Sequence, residues 1–327
     1  MEMVRLGGTG LKVSKICLGT MTYGDPRWRD WVLDEAASMP FFRAAIEAGI
    51  NFFDTADMYS AGASEIVTGK ALKEYAASRE EVVLATKLYN PMGRSPNQRG
   101  LSRKWVMSAI DNSLKRLGTD YVDLYQIHRF DNETPIEETV EALHDVVKAG
   151  KARYVGASSM YAWQFARFLK AAAEQKLTPF VSMQNFYNLV YREEEREMIP
   201  LCLAEGVGVI PWSPLARGFL GRKAADAFAE RSTRAKSDKN LDMRFGDTDL
   251  EILRRVETVA ARLGVPNAQV ALAWLMRRPG VTAPIIGASK PHHIADAAAA
   301  VALTLSPQDC AFLEEPYQPR PVAGWLS

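Results

Sequence analysis

Four side chains of the types that move protons each follow an apolar run. Asp54 and Tyr59 lie in NFFDTADMYS, Lys87 ends VVLATK, and His128 ends VDLYQIH. A carboxylate, a phenol, an ammonium and an imidazole delivered by three successive apolar segments make an acid–base site suited to a carbonyl. A ketone accepts hydride easily only if a proton or a strong hydrogen bond reaches its oxygen as negative charge develops there. Tyr59 is the candidate donor. Its ordinary pKa of about 10 is high for work near neutrality, and the Lys87 ammonium is expected to favour the phenolate and lower it. Asp54 then holds Lys87 and balances its charge, while His128 donates a second hydrogen bond to the same oxygen.

Each residue alone has a plainer reading. Asp54 followed by Thr55 opens a turn or caps a helix. A lysine at a strand end is usually a solvated charge, a loop tyrosine usually packs, and a histidine closing an apolar strand is usually a satisfied core residue. Four coincident strand-end positions outweigh these readings, because independent accidents rarely supply a complete proton-transfer set.

The elements that must position these residues alternate almost from end to end. Residues 3–13 predict a small hairpin turned by Gly7, Gly8 and Gly10, a turn signal and not a nucleotide loop. Eight apolar runs follow: Ile16–Thr20, Asn51–Ala56, Val82–Lys87, Val122–His128, Ala152–Ser158, Phe180–Asn185, Val207–Ser213 and Ala283–Ala288. Between them lie stretches with helical spacing, such as Ser102–Leu117 and Pro135–Ala149, the latter opened by Thr134-Pro135 as cap and first turn. Eight strand–helix units without a linker predict one domain over 1–327, an α/β fold of the (β/α)8 TIM-barrel type with an N-terminal β-hairpin. In such a barrel, active-site residues collect at the C-terminal ends of the strands. Thr20, Asp54, Lys87, His128, Ser158, Gln184, Trp212 and Gly287 stand near those ends in order. A doubly wound sheet is the alternative, but the first strand is not followed by G-x-G-x-x-G.

With 327 residues and a formal charge of +1 from interspersed acids and bases, the chain gives no sign of a nucleic-acid surface, and a small molecule is the expected partner. Cys17, Cys202 and Cys310 are odd in number and widely spaced, which argues against a disulfide framework or a zinc knuckle and fits a reducing cytoplasm. No apolar stretch approaches the ~20 residues needed to span a bilayer. His292 and His293 are adjacent rather than i, i+4, which disfavours metal ligation.

Over essentially its whole length the chain resembles an aldo-keto reductase. The stretches SSMYAWQFA, YREEEREMIPLC, VIPWSPLARG and EPYQPRPVAGW are similar to the bacterial YajO-type branch. The resemblance implies a barrel that transfers hydride between a nicotinamide cofactor and a carbonyl without metal, using Asp54, Tyr59, Lys87 and His128. It also implies that Ser158 and Gln184 hydrogen-bond the carboxamide, with Ser159 beside them, and that Trp212 stacks on the nicotinamide. Gly19, Thr20 and Met21 after the first strand join Asp54 around the cofactor. Ser213, Leu215, Arg217 and Gly218 line the pyrophosphate, and Gly287, Ser289, Lys290, His293 and Asp296 surround the adenosine end. The IIGASK turn leads into a helix start that favours a phosphate, and Lys290 adds a cation, which points to NADP (as NADPH) over NAD.

The sequence departs from the broader family at Ser159, where relatives often carry Asn, and at Asp296-Ala297, where many carry Glu-Asn. Lys290 stands where Arg is commoner. Two segments are expected to set substrate choice: residues 24–34 with Trp28 and Trp31, or else these rings pack the rim, and residues 221–247, where Arg222, Lys223 or Arg244 reach the cofactor or the loop is merely solvated. Besides a carbonyl reductase, the sequence leaves open a cofactor-binding regulatory subunit, against which His128 argues, and another barrel enzyme such as one converting sugar phosphates. It names neither the physiological carbonyl compound nor the oligomeric state.

Overall fold

The computed structural model describes residues 1–228 and 245–321. Its first element is the expected hairpin, β1 (Met3–Arg5) against β2 (Lys12–Ser14), antiparallel. Gly7 sits at the tip with φ 57°, and a Cβ there would lie 2.6 Å from Gly206 O and Gly208 N. Only glycine lets the tip seat so closely, and Gly8 N donates to Gly206 O at 2.7 Å. The hairpin therefore covers the end of the sheet where the strands begin and leaves the other end to the chemistry.

Eight parallel strands follow: β3 (Cys17–Gly19), β4 (Phe52–Asp54), β5 (Val83–Leu88), β6 (Val122–Ile127), β7 (Ala152–Ser158), β8 (Phe180–Gln184), β9 (Gly208–Val209) and β10 (Ile285–Ile286). Their order, β10-β3-β4-β5-β6-β7-β8-β9, is that of a sheet wound in sequence. Isolated parallel bridges, Val209 to Val281 and Trp212 to Ile285, join β9 to β10 and close the ring. The last two strands are shorter than their apolar runs predict. Pro211, Pro214 and Pro284 have no N–H to give, so the ladder breaks into single bridges there.

Alternation along the strands builds two layers. Phe52 on β4, Val83 and Ala85 on β5, and Leu124 on β6 belong to a small cluster within the ring, completed by Leu6 and Val13 of the hairpin. Phe53, Leu84 and Tyr125 face outward into the larger strand–helix core. Two residues further along the inward face come Asp54 on β4, Lys87 on β5 and Gln126 on β6, so polar groups form the next layer above an apolar floor.

Helices pack outside. Arg103–Leu117 buries Trp105, Val106, Ala109, Ile110, Ser113 and Leu117 at helical spacing, with Ser102 accepting from Trp105 N as its cap. The helix over Ile136–Lys148 begins one residue later than expected. Pro135 is its N-cap, and Thr134 instead donates to Asp131 at 2.7 Å. The one-strand, one-helix rhythm fails between β9 and β10, where both Asp247–Leu263 and Asn267–Met276 intervene. Among the described residues no helix is long and apolar enough to cross a membrane.

Candidate active site

The polar layer centres on a buried ion pair. Lys87, fully buried, donates to Asp54 Oδ1 at 2.5 Å, to Thr55 O at 2.8 Å and to Tyr59 OH at 3.4 Å. The second Asp54 oxygen accepts from Gln126 Nε2 and Gln184 Nε2, each at 3.0 Å. A buried pair repays its desolvation only when its remaining donors and acceptors are satisfied, and β4, β5, β6 and β8 together supply those partners. Gln126 was not singled out by sequence reasoning. The available signal was its place two residues before His128, on the same inward face.

Tyr59 is aimed by a strained turn. Beyond β4 the chain keeps pairing with β5, through Thr55 N to Ala85 O and Asp57 N to Lys87 O. It then enters a 3-10 turn, Tyr59–Gly62, in which Ser60 and Ala61 are left-handed at φ 50° and 52°. Such positions cost free energy and persist only where the surroundings impose them. Ser64 Oγ donates to Thr20 O at 2.8 Å and lies 3.1 Å from Thr20 Oγ1 and 3.2 Å from Thr55 Oγ1, pinning the turn to β3 and β4. Gly24 (φ 155°) closes on the same turn, since a Cβ there would lie 2.6 Å from Ser60 Oγ.

Protonation follows from burial. Burial raises the Tyr59 phenol, the Lys87 charge and hydrogen bond pull it down, and the Asp54 charge raises it again, leaving it above its ordinary value. Lys87 acts in the expected direction, but the net outcome is a correction: desolvation outweighs the ammonium, and the pKa is raised rather than lowered. For Lys87, burial works against the charge, but Asp54 and Tyr59 outweigh it and the ammonium is held above its ordinary range. His128 is pushed well below 6.5 by burial, then by the charges of Arg129 and Lys87. Its Nδ1 lies 3.3 Å from Asn90 Nδ2, an amide donor, which leaves the imidazole proton on Nε2. The two rings meet edge to face with centroids 5.8 Å apart. Asn90 escaped sequence reasoning because it lies in a loop with no periodicity.

Beside this centre runs a shelf. Ser158 Oγ donates to Gln184 O at 2.8 Å and lies 3.1 Å from Ser159 Oγ, which accepts from Trp212 Nε1 at 3.1 Å. The half-buried Trp212 packs one face on Phe186 with centroids 4.6 Å apart. Ser213, Ala216, Arg217 and Gly218 all have φ between 48° and 88°. Successive turns of this kind expose backbone N–H groups to an anion. Gly19 pairs with Asp54 across β3 and β4, and a Cβ on it would strike Ile285 Cγ2 at 2.6 Å. Thr20 N donates to Asp54 O at 2.9 Å, and Met21 follows, half-buried.

The 287–296 segment is not part of that hydrogen-bonded centre. Gly287, Ser289 and Lys290 are exposed, His293 Nδ1 accepts from Ser289 N at 3.3 Å, and Asp296 accepts from Gln269 Nε2 at 3.1 Å. At the other rim Trp28 and Trp31 pack edge to face at 6.2 Å, with Arg29 over Trp28 at 4.7 Å. Arg222 O accepts from Asn267 Nδ2 at 2.6 Å, and Lys223 is exposed. Arg244 and the VAGW of the C-terminal stretch lie outside the described residues. A nicotinamide dinucleotide fits this donor set: a half-buried indole that could stack on a flat ring, left-handed backbone suited to phosphates, and the exposed Lys290 just before a helix.

The sequence profile of the aldo/keto reductase family matches residues 15–317. The chain belongs to that family. It is 46% identical to versiconal hemiacetal acetate reductase of Aspergillus parasiticus over 98% of each chain. An aldo-keto reductase of Fusarium vanettenii is also 46% identical, over 98% of this chain and 92% of its own. So is a Schizosaccharomyces pombe protein whose name assigns it provisionally to the aryl-alcohol dehydrogenases, over 98% of this chain and 96% of its own. Membership in the aldo/keto reductase family supports carbonyl reduction as the chemistry.

Proposed function

We propose that this aldo/keto reductase reduces an aldehyde or ketone to an alcohol with NADPH, Tyr59 giving the proton. The observation that carries the reading is the Tyr59 hydroxyl 3.4 Å from Lys87 Nζ, with its ring edge-on to His128; burial, which raises the phenol and lowers the imidazole, favours the protonated phenol and the neutral ring. When bound, the dinucleotide supplies hydride. The chain's residues do the rest. Tyr59 O–H and His128 Nε2–H converge as donors for the carbonyl oxygen. As the phenol loses its proton, Lys87 meets the developing phenolate, and Asp54 fixes the ammonium so that it need not reorganise.

Gln184 supports carboxamide binding, because its Oε1 makes no hydrogen bond among the described residues while Nε2 is committed to Asp54 and Gln126. We assign Trp212 to the nicotinamide face, with Ser158 and Ser159 beside it. Ser213, Leu215, Arg217 and Gly218 are assigned to the pyrophosphate, with Gly19, Thr20 and Met21 facing the cofactor from β3. Gly287, Ser289, Lys290, His293 and Asp296 take the adenosine end, Lys290 reading a 2′-phosphate. We read residues 1–327 as one such unit acting in the cytoplasm, and the four quoted stretches as a tie to the YajO-type branch.

The test is NADPH oxidation against a panel of carbonyl compounds, with aromatic aldehydes first because one relative is named for aryl alcohols. Turnover by the wild type and its loss in Tyr59→Phe support the reading. Absence of turnover with every aldehyde and ketone at saturating NADPH overturns it.

A further inference from the structure

The residue after His128 is an arginine whose charge no carboxylate pairs with among the described residues. Arg129 is half-buried, and its one hydrogen bond among the described residues is Nη1 to His128 O at 2.9 Å. Nε and Nη2 have no partner among the described residues, yet neither is a sealed buried atom, so both are reached by solvent. The nearest carboxylate in sequence, Asp131, is spent. It accepts from Leu101 N at 2.7 Å, from Glu133 N at 2.9 Å and from Thr134 Oγ1 at 2.7 Å. No ion pair to Arg129 exists among the described residues.

Its place beside the proton donors follows from the backbone, which puts it directly after His128 and bonded to that residue's carbonyl. His128 in turn shares an edge-to-face contact with Tyr59. In keeping with that placement, the Arg129 charge acts to lower the pKa of His128, of the Tyr59 phenol and of the Tyr89 phenol at the start of the loop after β5. Partly desolvating a guanidinium without a counter-ion is unfavourable, and a carboxylate or phosphate meeting two of its parallel N–H groups relieves that cost with directional, charge-assisted bonds.

We propose that Arg129 selects the substrate: the carbonyl compound carries a carboxylate or phosphate, held by Arg129 Nε and Nη2 while its carbonyl oxygen lies at Tyr59 and His128. This rests on the carbonyl-reductase reading and adds the substrate's charge to it. It also accounts for the arginine's exposure, which a purely structural role for His128 would not need.

Matched aldehydes test it. One arm compares 2-, 3- and 4-carboxybenzaldehyde with their methyl esters. The other compares glyceraldehyde 3-phosphate with glyceraldehyde. In the wild type, at least one charged compound should exceed its neutral counterpart in kcat/KM by roughly ten- to a hundredfold, chiefly through KM, as a charged hydrogen bond provides. The arm showing the preference tells carboxylate from phosphate. Arg129→Met should reduce that ratio to within about twofold, and Arg129→Lys should restore part of it. Turnover with no preference for charge in either arm overturns the proposal and leaves the reductase reading intact. Equal losses on charged and neutral partners in Arg129→Met overturn it too, assigning the residue to holding His128. No turnover on any compound is the separate failure of the reductase reading.

Discussion

The centre of the candidate site and the rim assigned above to the cofactor are built on opposite plans. At the centre, Lys87 is fully buried and bonded to Asp54, Thr55 and Tyr59, and Asp54 is bonded in turn to Gln126 and Gln184. Four strands share that one network. At the rim, the 213–218 and 287–296 segments bond mostly within themselves, and Lys290 is exposed. The contrast is between side chains that constrain one another and backbone that is shaped in advance for a ligand. In the proposed reaction the centre sets which proton moves and the rim sets what is held nearby. Substitutions should therefore produce coupled losses of rate and stability at the centre, and separable losses of affinity at the rim.

The largest effect is expected at Tyr59. Tyr59→Phe removes only the transferable proton, so reduction should fall by about 10²–10⁴-fold while NADPH fluorescence titration stays close to wild type. Near-normal turnover would break the mechanism and the contrast with it. Lys87→Met should come next and should cost both activity and folding. It leaves the Asp54 carboxylate buried without its cation, and breaking a buried pair in this way costs about 3–5 kcal/mol. Thermal and urea melts should show that loss for Lys87→Met and almost none for Lys290→Met. Adding Asp54→Asn should recover stability without recovering rate.

Two smaller effects sharpen the comparison. Tyr59 is raised above its ordinary value and His128 is held well below 6.5. The donor form of Tyr59 exists below its pKa, and His128 is already neutral above its own. The rate of reduction should therefore be flat from acid pH through neutrality and fall only as pH rises past about 10. A step in kcat near pH 6.5 would mean that His128 titrates there. At the rim, Lys290→Glu should weaken NADPH binding several-fold and NADH binding by less than about twofold, since an exposed pair is worth at most about 1 kcal/mol. Equal changes for both dinucleotides would show that Lys290 does not read the 2′-phosphate.

The eight runs, their order and the convergence of Asp54, Tyr59, Lys87 and His128 were legible in the sequence because strands show a simple period and their ends can be counted. Gln126 was legible in the same way, two residues from His128, but its amide carries no proton chemistry to draw attention. Asn90 was hidden because loop residues obey no period. The direction of the Tyr59 shift was hidden for another reason: the sign depends on whether desolvation or the ammonium wins, and burial is a property of the assembled ring. The shortness of β9 and β10 was written in Pro211, Pro214 and Pro284, which an apolar run conceals.

That shortness gives the cylinder one weak stave joint. Among the described residues only single bridges join β9 to β10, and one of them pairs Trp212 with Ile285. Amides along this seam should exchange with solvent sooner than those of β5 to β7, where ladders run four or five residues deep. Since Trp212 and the turn after Ile285 are assigned to opposite ends of the dinucleotide, a bound cofactor would lie across the joint like a clamp. Slowed exchange along the seam would then report occupancy without any turnover.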